Sequence, residues 1–492
     1  MELQEFTLDF DPKSFQKLLK ETCDIITRTH SSLEKRKVFS AQSPDQVASL
    51  FEEPLPQHGV EWDQLLAKIE KDVIGNATLN VGPNFYSYVL SPSNQAGLAA
   101  EFISTYLNNN PAKWHLSASG VELEKLVIKW IAQFIGYDEE TGGILVSGGS
   151  MANLTCLNVA RNIKSKLNVS DKGLFGIPPM TIYVSNQVHY CVDKAVSMLG
   201  IGKDQVRKVP VDEQFKMDTH QLEEMIKSDL QKGLTPFCVV ASGGTVNTGT
   251  VDPMEEIHDI CKKYDLWFHV DAAYGGPAAG TQLAGEEFKG MEKADSMALD
   301  PHKWFYVPIE AGCALVREKA HLKETFSLIP EYLMVDKLAN DNRTDFMEYG
   351  MQLTRHFRSL KIWMTFKAYG AAKLRKAIEH DILKTEYLEK KLKDLKEIEI
   401  ISPARLSIIC FRYVPQGFRE DEEYLEHLNQ SLILDLEKDG RVFVTGTNIN
   451  HKTALRVCIV NHRTQQRHLD YLVEVILELG QKLHRKLSVK VA

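Results

Sequence analysis

The sequence contains no apolar run near the roughly 18 residues that a membrane-spanning helix needs. Its opening stretch, MELQEFTLDFDPKSF, is interrupted by acidic side chains and predicts neither a secretory signal nor an Arg-rich transit peptide. A formal net charge of −8 argues against non-specific binding to nucleic acid or to anionic lipid. We therefore expect a cytoplasmic protein with no nucleic-acid partner and no membrane partner.

The eight cysteines form no CxxC pair and show no metal-ligand spacing, so we expect reduced thiols and no metal site. Most of them lie in apolar stretches, where a cysteine usually serves as a small buried hydrophobe. Hydrophobic residues make up 43% and charged residues 25% of the 492 residues, which is typical of a globular protein. A chain of this length can form two or three domains.

The hydrophobic pattern divides the chain into three segments, 1–90, 91–360 and 361–492. The first has helical spacing at 12–30 and 62–74 but little core of its own, which predicts an arm that packs on another surface. The second alternates helices with strands that are apolar throughout, which predicts an α/β domain with a mostly parallel sheet covered by helices. The third predicts a small α+β domain that ends in a helix near 468–487. The predicted strands are Gly143–Val146, Met180–Val184, Phe237–Ser242, Trp267–Asp271, Ser296–Asp300 and Gly312–Val316.

Lys303 follows the end of an apolar strand, in the segment DPHKW. Open α/β sheets place their ligands at the carboxyl ends of the strands, so a lysine here invites a functional interpretation. Burial and nearby positive charge would lower its pKa and leave a neutral amine able to form an imine. The alternative is a surface lysine whose stem covers the strand end.

Asp271 ends another apolar strand and is followed by Ala272 and Ala273. A carboxylate beside a pyridine nitrogen keeps that nitrogen protonated, and the small residues leave room for a flat ring. The alternative for Asp271 is an N-cap of the next helix. A lysine after a second strand end makes the cofactor interpretation the stronger one.

The segment SGGSMAN at 147–153 is a glycine-rich turn between a strand and a helix. Backbone N–H groups at Gly149 and the hydroxyl of Ser150 could bind a phosphate there. Such turns also serve dinucleotides or are only structural, although the GxGxxG spacing is missing. His189 could stack on a cofactor ring or be structural, and Thr245 could bond to the cofactor or only shape a turn.

In chain order, the motifs SGGSMAN, NQVHY, HVDAAYGG and DPHKW resemble those of the group II pyridoxal-phosphate decarboxylases, which include the aromatic-L-amino-acid, histidine and glutamate decarboxylases. The resemblance extends to WHLSASGVELE at 114–124, RHFRSLKIW at 355–363 and LRVCIVNHRT at 455–464. It implies PLP fold type I, similar to aspartate aminotransferase, with an N-terminal arm and a small C-terminal domain. It also implies a homodimer with shared active sites, because Asn110–Trp114 matches a segment that reaches the neighbouring site.

The resemblance also implies roles for individual residues. Lys303 would hold pyridoxal 5'-phosphate as a Schiff base, and Asp271 would pair with the pyridine nitrogen. Tyr332 would protonate the substrate Cα from a mobile loop. The remaining implied cofactor contacts are His189 and Ala273 on the two ring faces, Gly149, Ser150 and His302 at the phosphate, and Thr245. The implied substrate contacts are Tyr88, Trp114, Thr354 and Arg355.

Some positions depart from the family pattern. The asparagine usual before Pro-His-Lys is Asp300, and residues that line the pocket in aromatic decarboxylases differ here. We predict decarboxylation of an L-amino acid, most simply an aromatic one. Asn110 and Lys113 leave a polar or acidic substrate open. The rivals are an aldehyde-forming oxidative decarboxylase, a β-elimination or sulfur-transfer enzyme, a nucleotide-dependent oxidoreductase and an inactive binding protein.

Overall fold

A computed structural model describes residues 7–165, 167–328 and 343–491, with side chains described as far as 488. The chain forms two compact units. The smaller comprises 1–86, 413–446 and 463–492, and the larger comprises 87–412 and 447–462. The division into three sequence segments stays a prediction. None of the described helices combines the length and apolar composition of a membrane span.

A seven-stranded mixed sheet forms the centre of the larger unit, in the order β1-β7-β6-β5-β4-β2-β3. Its strands are β1 Gly142–Val146, β2 Met180–Ser185, β3 Val206–Val209, β4 Thr235–Ser242, β5 Trp267–Asp271, β6 Ser296–Leu299 and β7 Gly312–Val316. Only β7 runs against its neighbours, β1 and β6. The predicted strands and the mostly parallel sheet are confirmed. The pattern missed β3, an edge strand whose sequence VRKV is half polar.

The strand register brings the functional residues to one edge of this sheet. Asp271 of β5 pairs with Ser242 of β4 on one side and with Ala298 of β6 on the other. The strands β4, β5 and β6 therefore end side by side, and Asp300 and Lys303 follow directly after β6. Carboxyl ends of parallel strands are where α/β sheets bind ligands.

Fourteen α-helices occur in the described residues. They are α1 Pro12–Ser31, α2 Pro44–Ser49, α3 Trp62–Lys68, α4 Gln95–Leu107, α5 Ala118–Ile135, α6 Gly149–Lys164, α7 Val169–Lys172, α8 Cys191–Met198, α9 Thr219–Gln231, α10 Met254–Tyr264, α11 Lys319–Phe326, α12 Arg358–Lys393, α13 Glu422–Asp439 and α14 Gln466–Val491. The helix α6 packs on β4 to β7, which places its first turn beside the strand ends. The predicted helices at 12–30, 62–74 and 468–487 correspond to α1, α3 and α14.

A second sheet of four strands follows late in the chain, in the order β10-β11-β9-β8. Its strands are β8 Ile398–Arg405, β9 Ile408–Tyr413, β10 Thr445–Ile449 and β11 Lys452–Cys458. The pair β9 and β11 is antiparallel. This sheet confirms the predicted small C-terminal α+β region.

The smaller unit contains α1, α2, α3, α13 and α14. Phe85 stacks on Phe443 with ring centroids 5.7 Å apart, and the Tyr86 hydroxyl donates to the carbonyl oxygen of His468. Residues distant in sequence therefore share one core here.

Candidate active site

The carboxyl ends of β4, β5 and β6 open into a cavity of about 760 Å³. Nine of the predicted site residues line it. They are Tyr88, Gly149, Ser150, His189, Thr245, Asp271, Ala273, His302 and Lys303. The structure thus brings together residues that are more than two hundred positions apart in the sequence.

Lys303 faces the cavity, and its Nζ lies 2.9 Å from Oδ2 of Asp300. Burial is the largest influence and by itself lowers the pKa of Lys303. The neighbouring carboxylates of Asp300 and Asp271 outweigh burial and raise that pKa above its usual value. The expectation of a lowered pKa was wrong, because the nearest charge is negative rather than positive.

Asp271 presents its carboxylate to the same cavity from the end of β5. Its Oδ1 accepts a hydrogen bond from the backbone N–H of Ala273 at 3.2 Å. Enclosure by protein raises the pKa of Asp271, while the charge of Lys303 opposes this shift. A half-buried carboxylate beside two alanines fits a flat cationic ring, since Ala272 and Ala273 have small side chains.

The turn before α6 has room only for glycine. A Cβ on Gly149 would lie 2.8 Å from the Asp300 carboxylate and 3.1 Å from Cβ of Ala273. The turn delivers the first N–H groups of α6 and the side chain of Ser150 to the cavity. The N-terminus of this sixteen-residue helix is suited to bind a phosphate.

Two histidines on the cavity wall are held neutral by burial, which lowers the pKa of each. Nδ1 of His189 accepts from the backbone N–H of Cys191 at 3.3 Å, so a neutral ring carries its proton on Nε2. Nδ1 of His302 lies 2.7 Å from the carbonyl oxygen of Ala311, which orients its Nε2 toward Asp300 at 3.8 Å.

Thr245 lines the cavity, but its hydroxyl already has protein partners. Its Oγ1 lies 2.9 Å from Oγ1 of Thr248 and accepts from the backbone N–H of Thr250. These bonds match the alternative interpretation of turn chemistry. A cofactor contact by Thr245 stays a prediction.

Three predicted substrate residues do not line the cavity in the described part of the chain. Arg355 is buried, and its guanidinium donates to Glu124 and to the carbonyl oxygens of Pro111 and Leu145. The Trp114 indole donates to Glu122, and Thr354 is exposed. A direct role of Arg355 toward substrate disagrees with this placement, because the residue does not line the cavity and its Nη1 and Nη2 donate to protein groups. Tyr332 lies outside the described residues.

Arg456, on β11, is a candidate that the sequence analysis missed. Its Nε donates to the carbonyl oxygen of Val246 at 2.6 Å and its Nη1 to that of Tyr88 at 3.1 Å. Both acceptor residues line the cavity. Its buried Nη2 has no hydrogen-bond partner among the described residues. The signal in the sequence was the matched segment LRVCIVNHRT, whose arginine is Arg456.

The residues present fit pyridoxal phosphate. The same cavity is lined by an amine that can react with the aldehyde of the cofactor and by a carboxylate that can pair with its ring nitrogen. The N-terminus of α6, which can bind its phosphate, also lines this cavity. Asp300 lines the cavity, and its buried Oδ1 has no partner in the described chain, so the cavity can still accommodate a polar group.

Comparisons with known proteins agree with this geometry. The pyridoxal-dependent decarboxylase conserved domain matches residues 44–414. The aromatic-L-amino-acid decarboxylase of Bacillus atrophaeus is 32% identical over 97% of this chain and 97% of its own length.

Two solved structures share the fold over nearly the whole chain. The crystal structure of Oryza sativa TDC with PLP and tryptamine has a TM-score of 0.91 and 25% identity, covering 97% of this chain and all of the other. The structure of Rhodiola rosea 4-hydroxyphenylacetaldehyde synthase has a TM-score of 0.86 and 25% identity, covering 96% and 99%. These matches confirm the predicted PLP fold type I. The chain therefore belongs to the pyridoxal-dependent decarboxylase family, and it is an enzyme whose cofactor is pyridoxal phosphate.

Proposed function

We propose that this enzyme converts an aromatic L-amino acid to its amine and CO2, with the cofactor attached to Lys303. The observation that carries the proposal is the joint exposure of Lys303 and Asp271 to one cavity. The name of the 32% identical relative supports the aromatic substrate. When bound, pyridoxal phosphate supplies an electron-accepting ring conjugated to the substrate Cα.

The protein's own residues then have separable tasks. Lys303 provides the amine that holds the cofactor and exchanges with the substrate amine. Asp271 favours a proton on the pyridine nitrogen by its negative charge. The neutral ring of His189 would pack on the cofactor, and the start of α6 with Ser150 and His302 would hold its phosphate. Arg456 would hold the cavity-lining residues Val246 and Tyr88 in place through their carbonyl oxygens.

The shape of the cavity supports an aromatic side chain. Tyr88, Val89, Leu90 and Ile309 give one wall apolar surface. Asn110, which suggested a polar substrate, bonds instead to the backbone of Leu353 and accepts from Ala112. Its amide is thus committed to local structure in this chain.

A substrate panel tests the proposal. Purified enzyme with added pyridoxal phosphate is assayed for CO2 and amine from L-tryptophan, L-tyrosine, L-phenylalanine, L-histidine and L-glutamate. We expect kcat/KM for the best aromatic substrate to exceed that for glutamate roughly 100-fold or more, because unpaired polar groups in an apolar pocket are penalised. A preference for glutamate or histidine would refute the aromatic assignment but leave decarboxylation intact.

The likeness to an aldehyde synthase makes one rival worth testing in the same assay. Aldehyde, ammonia and peroxide are measured beside the amine for the wild type and for Tyr332→Phe. If Tyr332 is the Cα proton donor, the wild type gives amine and the variant diverts product to aldehyde and peroxide. Aldehyde as the main wild-type product would favour the rival.

The proposed form is a cytoplasmic homodimer with shared active sites. Large apolar side chains are exposed on α4, where Tyr106 is 78% and Ile103 48% exposed, and on α1, where Phe15 is 41% exposed. Surfaces of this kind usually mark an interface with another chain. Analytical ultracentrifugation at assay concentration tests the dimer, and an active monomer would contradict it.

A further inference from the structure

The ion pair between Lys303 and Asp300 places an acceptor beside the amine that must react. Asp300 is 2% exposed, and its Oδ2 lies 2.9 Å from Nζ of Lys303. Its Oδ1 has no hydrogen-bond partner in the described chain. An amine attacks an aldehyde only after it has lost a proton, and here a carboxylate is already within hydrogen-bond distance of that proton.

We propose that Asp300 accepts the proton of Lys303 when the cofactor is captured, and that it then returns this proton to the oxygen leaving the aldehyde. This rests on the proposed attachment of the cofactor to Lys303. An asparagine at this position could not perform this transfer, because its amide does not accept and release a proton in this way.

The proton balance is closed within the site. Lys303 begins as an ammonium with three protons, and Asp300 begins as a carboxylate. One proton moves to Asp300 Oδ2, and the nitrogen lone pair forms the bond to the aldehyde carbon. The oxygen of the adduct takes a second proton from the nitrogen and then the proton held by Asp300, so that it leaves as water, and the imine nitrogen keeps the third proton. No outside acid, base or oxidant is needed.

Other ionisable groups surround the pair, but they are common to the enzyme and to any Asp300 variant. They are Asp271 at the end of β5, His189 and Cys191 at the start of α8, and His302 beside Lys303. Comparison of the wild type with an Asp300 variant therefore cancels their contributions, as it cancels the titration of free pyridoxal phosphate.

The ion pair between Lys303 and Asp300 predicts a particular dependence of the cofactor-capture rate on pH. In the wild type, the resting state and the reacting state hold the same number of protons, so the capture rate should change little with pH from about 6 to about 8.5. In Asp300→Asn, Lys303 must first release its proton to solvent. Its capture rate should therefore rise about tenfold per pH unit until the pH passes the amine pKa.

The experiment uses full-length apoenzyme mixed with pyridoxal phosphate in a stopped-flow spectrometer, with the visible absorbance of the imine as the readout. Because Asp300→Asn also lowers the pKa of Lys303, the two proteins are compared by the slope of the rate against pH, which we expect to be nearly flat for the wild type and about tenfold per pH unit for the variant below its amine pKa. The control is Asp193→Asn, which removes one negative charge from a residue that pairs with Lys208 outside the cavity lining. Its rate profile should parallel that of the wild type.

Parallel pH profiles for the wild type and Asp300→Asn would overturn the proposal. Binding of 4'-deoxypyridoxine 5'-phosphate, which lacks the aldehyde, checks that the variant site is folded, and Asp300→Ser provides a second variant of the same charge. Borohydride reduction and peptide mapping identify the modified lysine in each protein. Capture at a lysine other than Lys303 in the wild type would refute the proposed function itself, and so the two failures are distinguishable.

Discussion

Lys303 and Arg355 are both enclosed cations paired with a carboxylate, but only one of them faces open space. Lys303 pairs with Asp300 at the edge of the cavity. Arg355 pairs with Glu124, and neither of these two side chains is exposed. Both cations were predicted as site residues from their motifs. The comparison shows that motif membership alone does not separate a reactive charge from a structural one.

The partners of each cation explain the difference. Arg355 also donates to two carbonyl oxygens, while Glu124 accepts from the backbone N–H of Leu145 at 2.9 Å. This pair ties α5 to β1 and to the segment at Pro111. Lys303 and Asp300 follow the end of β6, and both line the cavity. A fully buried ion pair that is also bonded to backbone groups supports the fold, whereas a partly buried charge beside a cavity is available for chemistry.

Removing Lys303 should have the largest effect. Lys303→Ala removes the only group proposed to attach the cofactor, so we expect the rate of CO2 release to fall roughly 10⁵-fold or more. The substitution also leaves the buried carboxylate of Asp300 without its counter-ion, so some loss of stability is expected and the fold is checked independently of activity. The rate is measured by CO2 release and the fold by circular dichroism. Activity within tenfold of wild type would contradict the assignment.

Asp271→Asn should leave cofactor attachment intact but lower the rate of decarboxylation roughly 10³-fold. The amide occupies the same space but cannot favour a proton on the pyridine nitrogen by charge. Imine absorbance and CO2 release are measured on the same samples. A variant that retains the wild-type rate would remove the electrostatic role of Asp271.

Breaking the ion pair between Glu124 and Arg355 should lower the stability of the protein rather than act on the chemistry. Glu124→Gln leaves the charge of Arg355 buried without its counter-ion, so we expect the free energy of unfolding to fall by about 3 kcal/mol. The matched control is Glu122→Gln on the same helix, where an exposed pair with Lys125 should contribute less than about 1 kcal/mol. Both are measured by urea unfolding. Equal losses in the two variants would show that the Arg355 pair is not a special support of the fold.

The last prediction concerns a buried histidine behind the site, where the expected effect over one pH unit is smaller than that of Glu124→Gln. His269 is 0% exposed, with Nε2 2.7 Å from Oδ1 of Asn153 and Nδ1 2.8 Å from Oγ of Ser296. The Asn153 amide donates to the carbonyl oxygen of Gly149, which leaves its Oδ1 to accept from a neutral His269. Burial lowers the pKa of His269 to about 3.

The lowered pKa of His269 makes the free energy of unfolding depend on pH in a defined direction. Between about pH 6.5 and about pH 3 the unfolded chain binds a proton at His269 that the folded chain does not. The free energy of unfolding should therefore fall as the pH is lowered through this range, by up to about 1.4 kcal/mol per pH unit from this residue. His269→Gln should reduce that slope in urea unfolding at several pH values. An unchanged slope would mean that His269 is protonated in the folded state.

Much of the fold could be predicted because its signals are local. Apolar strands such as β1 and β7 lie buried along their full length, and their sequences have no other reasonable interpretation. The motif residues Asp271 and Lys303 were placed at strand ends, and the parallel register then brings such ends together. The edge strand β3 was not predicted, because an edge strand needs no continuous apolar run.

What could not be predicted depends on contacts between distant segments. The motif containing Arg355 gives no sign that Glu124, 231 positions away, neutralises it. The pKa of Lys303 was predicted in the wrong direction because the rotamer that brings Asp300 within 2.9 Å is a property of the folded chain. Arg456 lies far from the site residues in sequence, and only the folded chain brings it from β11 to the backbone of the cavity-lining residue Tyr88.

The central claim is that Lys303 holds the cofactor in a decarboxylase site, and one measurement tests it most directly. The wild-type enzyme is loaded with pyridoxal phosphate, reduced with borohydride, digested and mapped by mass spectrometry. The account predicts a phosphopyridoxyl group on the peptide that contains Asp300–Trp304, attached to Lys303. Attachment to another lysine, or the lack of any attached group, would contradict it.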